Sequence, residues 1–162
     1  MKRLFVSFIL LALPFGASAS TDLARQWGQE ANRLSVETAD LMLAVDMGKE
    51  ISISDAFALD VYRFGRTSSD LALWIDASNG PNDLGCIFRG MAAESEDQLG
   101  VLEETAETVE TRESLRRLST LFADAEMIAV AAQRRAPTPG LMIGRTKSSC
   151  AADASSVMDT LR

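Results

Sequence analysis

The sequence predicts an all-α protein: an antiparallel four-helix bundle with a short additional C-terminal helix, preceded by an N-terminal signal peptide. Three observations point there. Apolar residues recur at alternating spacings of three and four along most of the chain, the signature of amphipathic helices. Only 4 prolines and 10 glycines interrupt 162 residues, and strand-like alternation is weak throughout. The opening segment is of a different kind: Lys2 and Arg3, an apolar run from Leu4 to Leu13, then Pro14, Gly16 and Ala17-Ser18-Ala19.

That opening has the three parts of a secretory signal: a basic start, an apolar centre and a small-residue cleavage site. The apolar run falls short of the roughly 20 residues that span a bilayer. Cleavage is expected after Ala19, with an uncleaved anchor as the alternative. No cysteine lies near the cut to carry a lipid, and no later segment is apolar enough to cross a membrane. The expected product is a soluble periplasmic or secreted protein. Residues 1–19 form the signal and residues 20–162 a single helical domain. Removing Lys2 and Arg3 takes the chain from 162 residues and a net charge of −7 to 143 residues and −9. Such a charge repels nucleic acid and anionic membrane surfaces alike.

The first helix carries the stripe Trp27, Ala31, Leu34, Thr38, Leu41 and Val45, and Gly48-Lys49 ends it. Ser52 or Ser54 can cap the second, since a serine oxygen accepts from the free amides of a first turn. Its stripe is Phe57, Val61, Phe64, Leu71 and Ile75, with Ser68 the polar member. Gly65 within it costs up to ~1 kcal/mol relative to alanine and permits a bend or a close helix contact. The run Ser78-Asn79-Gly80-Pro81-Asn82-Asp83 is a turn. A third helix then begins near Asp83 or Leu84 and buries Phe88, Ala92, Leu99 and Leu102.

Residues 84–135 contain no proline and could form one long helix. The phase argues for two. Continuing the third stripe leads to Ala106, Val109, Glu113 and Arg116, whereas the next apolar stripe is Leu115, Leu118, Phe122, Ala125 and Ala129. A two-residue slip turns the apolar face by about 200°, so a turn is placed within residues 105–111. The fourth helix fades at Arg134-Arg135, where positive charge suits a C-terminus. Pro137-Thr138-Pro139-Gly140 breaks the chain. Ser148 or Ser149 can cap a last short helix whose inward side carries Ala154, Val157, Met158 and Leu161.

Two cysteines, Cys86 and Cys150, remain after processing. In an oxidising compartment they form one disulfide, fastening the C-terminal segment to the start of the third helix. A redox-active pair usually shows a CxxC arrangement, which this chain lacks.

The chain has no histidine. That excludes Ser-His-Asp and Cys-His nucleophiles, histidine zinc sites, haem ligation by histidine and the Glu-x-x-His pairs of di-iron bundles. No Walker or dinucleotide-binding glycine pattern is present. The acidic stretch of Glu94, Glu96, Asp97, Glu103, Glu104, Glu107, Glu110 and Glu113 lacks the acid–glycine order of an EF-hand loop and reads as a solvated face. The scattered methionines read as core filler rather than as a copper site, and Trp27 and Trp74 as core residues.

One surface stands out. Arg134, Arg135, Arg145 and Lys147 rim the apolar Leu141-Met142-Ile143, an arrangement that reads either as a connecting loop whose apolar residues tuck against the bundle or as a contact for an acidic protein partner. The expectation is an exported, non-catalytic binding or accessory protein without catalytic, cofactor or metal residues, whose partner is another exported protein. The alternative is a small-ligand or metal carrier, or a carboxylate-based enzyme, using the bundle interior.

Overall fold

The structure is a computed structural model that describes residues 16–78, 80–104, 107–134 and Cys150. Among the described residues it is an all-helical bundle of four helices: α1 (Gly16–Asp46), α2 (Asp55–Ala77), α3 (Asn82–Glu104) and α4 (Thr108–Arg134). α1 starts earlier than its apolar stripe, because Gly16 to Ser20 are small and carry no amphipathic signal. It stops where expected. Gly48 takes the left-handed conformation, φ +69°, which favours glycine. The Gly48 and Lys49 amides then donate to the Val45 and Ala44 carbonyls.

Ser54, not Ser52, is the cap of α2: its hydroxyl accepts from the Phe57 amide at 3.1 Å. At the other end the Ser78 amide and hydroxyl both donate to the Trp74 carbonyl. The predicted break between the third and fourth helices falls between Glu104 and Thr108. Helix α4 runs to Arg134, beyond which the next described residue is Cys150. The predicted loop at Pro137–Gly140 and the last short helix lie outside the described residues.

Side by side, α1 lies chiefly against α4 and α2 against α3, with lesser contacts between α1 and α2 and between α3 and α4. One core fills the centre, including Trp27, Leu34, Phe57, Phe64, Phe88, Leu118 and Phe122. The α2 stripe is buried in full, Ser68 included, as is the α4 stripe. In α3 the inward line is Leu84, Phe88, Met91, Ser95, Leu99 and Leu102. Ala92, predicted to be buried with these, is only half-buried and lies on the seam with α2. Met91 is core, Met42 packs against it, and Met47 and Met127 are exposed. Trp74 is half-buried against the core rather than inside it.

The α1–α4 seam is close-set. A β-carbon built on Gly28 would stand 2.6 Å from Cβ of Ala129, with neither side able to rotate away. Gly28→Ala should therefore destabilise the protein by about 1 kcal/mol net: overpacking costs ~1–3 kcal/mol and exceeds the helix-propensity gain of up to ~1 kcal/mol. Adding Ala129→Gly should recover stability by restoring the space. Urea unfolding of the two variants checks both steps, and a Gly28→Ala protein more stable than the parent would contradict this packing.

Candidate functional site

The interior is built from rings. Trp27 stacks on Phe64 at 4.9 Å and meets Phe88 edge-on at 5.2 Å, while Phe64 meets Phe122 edge-on at 5.1 Å. The indole N–H donates to Ser68 Oγ at 2.8 Å, and the Ser68 hydroxyl donates to the Phe64 carbonyl at 2.9 Å. Buried Thr38 donates to the Leu34 carbonyl. Every buried side-chain nitrogen or oxygen among the described residues has a partner. Polar atoms so committed are not available to a substrate.

Charged groups sit outside, in networks. Arg33 of α1 bridges Glu30 and Glu37 on its own helix and Asp60 on α2, which also pairs with Arg63. The hydrogen bond to Glu30 foremost, with that to Asp60, holds the Arg33 guanidinium above its ordinary value. On the other side Arg117 of α4 reaches Glu94 of α3 at 3.6 Å, and Arg112 reaches Asp46 of α1 at 2.8 Å. The hydrogen bond from Arg116, then that from Arg117, lowers the Glu113 carboxyl to about 2. Because its folded value lies below its unfolded one, this carboxylate favours folding above the ordinary carboxylate range and loses that effect as pH falls toward 2. Arg116→Gln should move the Glu113 titration upward in NMR, and an unmoved midpoint would show that the pair is not formed in solution.

The acidic stretch is largely solvated, with Glu96, Asp97, Glu103 and Glu104 exposed. No group of three carboxylates or thiols placed to hold a metal ion occurs among the described residues. No helix among them is long and apolar enough to cross a membrane.

Open grooves run between the helices. One, of about 480 Å³, lies at the end of the bundle where Val45, Ile51, Ile53 and Leu102 meet Lys49 and Glu103. Another, of about 210 Å³, follows the α2–α3 seam past Tyr62, Gly65, Ala92 and Leu99. Large apolar side chains are exposed in rows: Val36 and Leu43 on α1 with Met47 just past its end, and Leu59, Tyr62 and Leu73 on α2.

The predicted disulfide is present: Cys86 and Cys150 are bonded, with Cα atoms 5.4 Å apart. Arg89 lies against it, donating to Cys150 Sγ and pairing with Asp76 of α2 at 2.8 Å. Of the predicted partner surface, Arg134 is exposed at the end of α4. Arg135, Leu141, Met142, Ile143, Arg145 and Lys147 lie outside the described residues. Sequence reading missed Arg89, Asp76 and the outer apolar rows. Those rows were available as a second set of apolar residues in helical phase with one another on the face opposite each core stripe. The Arg89–Asp76 pair was not, since nothing local joins residues 13 apart.

No protein-family model, curated protein or solved structure matches the chain.

Proposed function

We propose that this chain is exported and acts as a small non-catalytic binding or accessory protein, meeting another exported protein through its outer surface. The observation that carries the reading is the contrast between inside and outside. The interior is filled with aromatic rings whose polar atoms are satisfied among themselves, leaving little for a ligand carrier or a carboxylate enzyme to use. The outside carries apolar side chains in rows, with Val36 61% and Leu43 57% exposed along one face of α1 and Met47, just past its end, 54% exposed. Grouped apolar exposure of this kind marks surfaces that meet other molecules.

Several observations support the finer parts of the reading. Cross-helix pairs run in opposite senses, as Asn32–Glu126 with Asp46–Arg112, and Gly65–Ser95 with Asp76–Arg89, in keeping with an antiparallel order. A cut after Ala19 keeps Ala24 and Trp27, the first buried residues described, within the mature chain. It leaves Ser20, Thr21 and Asp22 at the new start, residue types that suit a helix N-terminus. The basic rim of Arg134, Arg135, Arg145 and Lys147 around Leu141-Met142-Ile143 would face an acidic partner. No cofactor or metal enters this reading.

The test combines the purified protein with crosslinking in the periplasm. A mature mass beginning at Ser20, a colourless metal-free protein and one defined crosslinked partner are expected. Changing Leu141, Met142 and Ile143 together to serine should abolish that crosslink without moving the thermal midpoint. An unprocessed N-terminus, bound metal or colour would overturn the proposal. A crosslink retained alongside a lowered midpoint would overturn the assigned surface.

A further inference from the structure

We propose that two copies of this chain pair through the outer faces of α2 and α3, with α2 of each copy lying on α3 of the other. That face carries both halves of a contact side by side. On α2, Leu59, Tyr62, Arg66 and Ser69 recur at spacings of three and four, which makes one stripe. Leu59 is 46% and Tyr62 57% exposed, so the stripe is a bulky ridge with a cation in it. On α3, Gly90, Ala93, Asp97 and Gly100 recur in the same way and form a low strip, with the exposed Glu96 beside it.

The glycines of that strip are not required by the fold of one chain. A β-carbon on Gly65 would come within 2.5 Å of Ser95 Oγ, and one on Gly85 within 3.1 Å of Asp76 Oδ1, so the α2–α3 seam needs both of those. A β-carbon on Gly90 or Gly100 would meet nothing within 4 Å among the described residues. Glycine inside a helix weakens it, and close approach of a second backbone is what such a position permits.

Charge selects the arrangement. Arg66 and Glu96 line the same groove between α2 and α3. Neither is in an ion pair among the described residues, whereas Arg33, Arg63 and Arg89 all are. A two-fold axis along the groove brings Arg66 of each copy over Glu96 of the partner subunit and closes the assembly at two. An axis across the groove would set Arg66 against Arg66 and Glu96 against Glu96, which like charges oppose. The register agrees. Gly65 lies against Ser95 and Asp76 pairs with Arg89, so positions on α2 and α3 match in opposite order. Counting on from Gly65 puts Leu59 level with Gly100, Tyr62 with Asp97 and Ser69 with Gly90. An axis along the groove keeps those levels, so the ridge of one copy falls on the glycines of the other. Two helices of 23 residues each, about 34 Å long and together about 20 Å wide, offer about 700 Å² per copy, near the ~800 Å² of a standard interface. The contact uses no residue of the basic rim assigned above, so either surface can fail alone.

Analytical ultracentrifugation of the full oxidised chain across a dilution series tests the pairing. A monomer–dimer equilibrium in about the micromolar range is expected. Arg66→Glu and Glu96→Arg should each weaken it at least tenfold, because each sets like charges together twice. Mixed in equal amounts, the two variants should pair again, since each then supplies the charge that the other lacks. Gly100→Leu should abolish the dimer yet raise the thermal midpoint measured on dilute monomer, because leucine is the better helix former. Val36→Glu on the outer face of α1 should leave the dimer intact. A chain that stays monomeric up to ~1 mM would overturn the proposal, as would a dimer indifferent to the charge reversals or to Gly100→Leu, or a mixture that fails to pair. Loss of the dimer in Val36→Glu would overturn it in favour of a contact through α1.

Discussion

Trp27→Ala is expected to lower the free energy of unfolding by about 3–5 kcal/mol, the range for removing a buried aromatic side chain, with a fall in thermal midpoint of roughly 10 °C. Trp27 is 2% exposed and is where α1, α2 and α3 meet, through its stack on Phe64 and its edge contact with Phe88. The two rings cannot both close the gap it leaves, because Phe64 is also held edge-on by Phe122. The lost hydrogen bond adds little, since Ser68 keeps its bond to the Phe64 carbonyl. Trp27→Phe should therefore cost clearly less than Trp27→Ala. Urea unfolding followed by circular dichroism separates the two variants, with Trp74 available as a fluorescent reporter in both. A Trp27→Ala midpoint close to that of the parent would show that the aromatic centre does not join the helices as described.

Replacing Cys86 and Cys150 together by serine is expected to cost ~4 kcal/mol on the chain-entropy account. The cysteines are 64 residues apart in sequence, so the cost arises mainly in the unfolded chain, which regains the freedom of a long loop. The native contacts of Arg89 with Asp76 should persist, because that ion pair does not depend on the sulfur. Denaturant unfolding of the double variant, beside the parent with and without reductant, reads the difference. The reduced parent and the double variant should agree with each other, and both should fall well below the oxidised parent. Equal stability of all three would mean that the bridge does not constrain the unfolded ensemble.

The bundle was legible in the sequence because each helix turns a single apolar face to a single core. Phe57, Val61, Phe64, Leu71 and Ile75 mark that face without ambiguity, and all are buried. The break between α3 and α4 could be read from phase alone, since a straight helix cannot bury opposite sides in succession. What escaped lies at seams. Ser95, Gln98 and Ser114 are polar yet buried, and Ala92 is apolar yet only half-buried, because position between neighbouring helices outweighs hydrophobicity there. The close approach of Gly28 to Ala129 and the pairing of Arg89 with Asp76 depend on which helix lies beside which, and periodicity does not encode that. The pairing of Cys86 with Cys150 was readable only because two cysteines admit one intramolecular bridge.

The bridge also determines how the chain would respond to pulling. The covalent ring from Cys86 to Cys150 encloses most of α3 and all of α4 but none of α1 or α2. Tension applied across it passes through the sulfur–sulfur bond and bypasses the residues between. Under load α1 and α2 peel away and lengthen, while roughly 200 Å of contour, at about 3.3–3.6 Å per residue, stays shielded inside the ring. Each helix that peels away leaves its main packing partner within that ring, so reduction would lengthen the tether in a single large step.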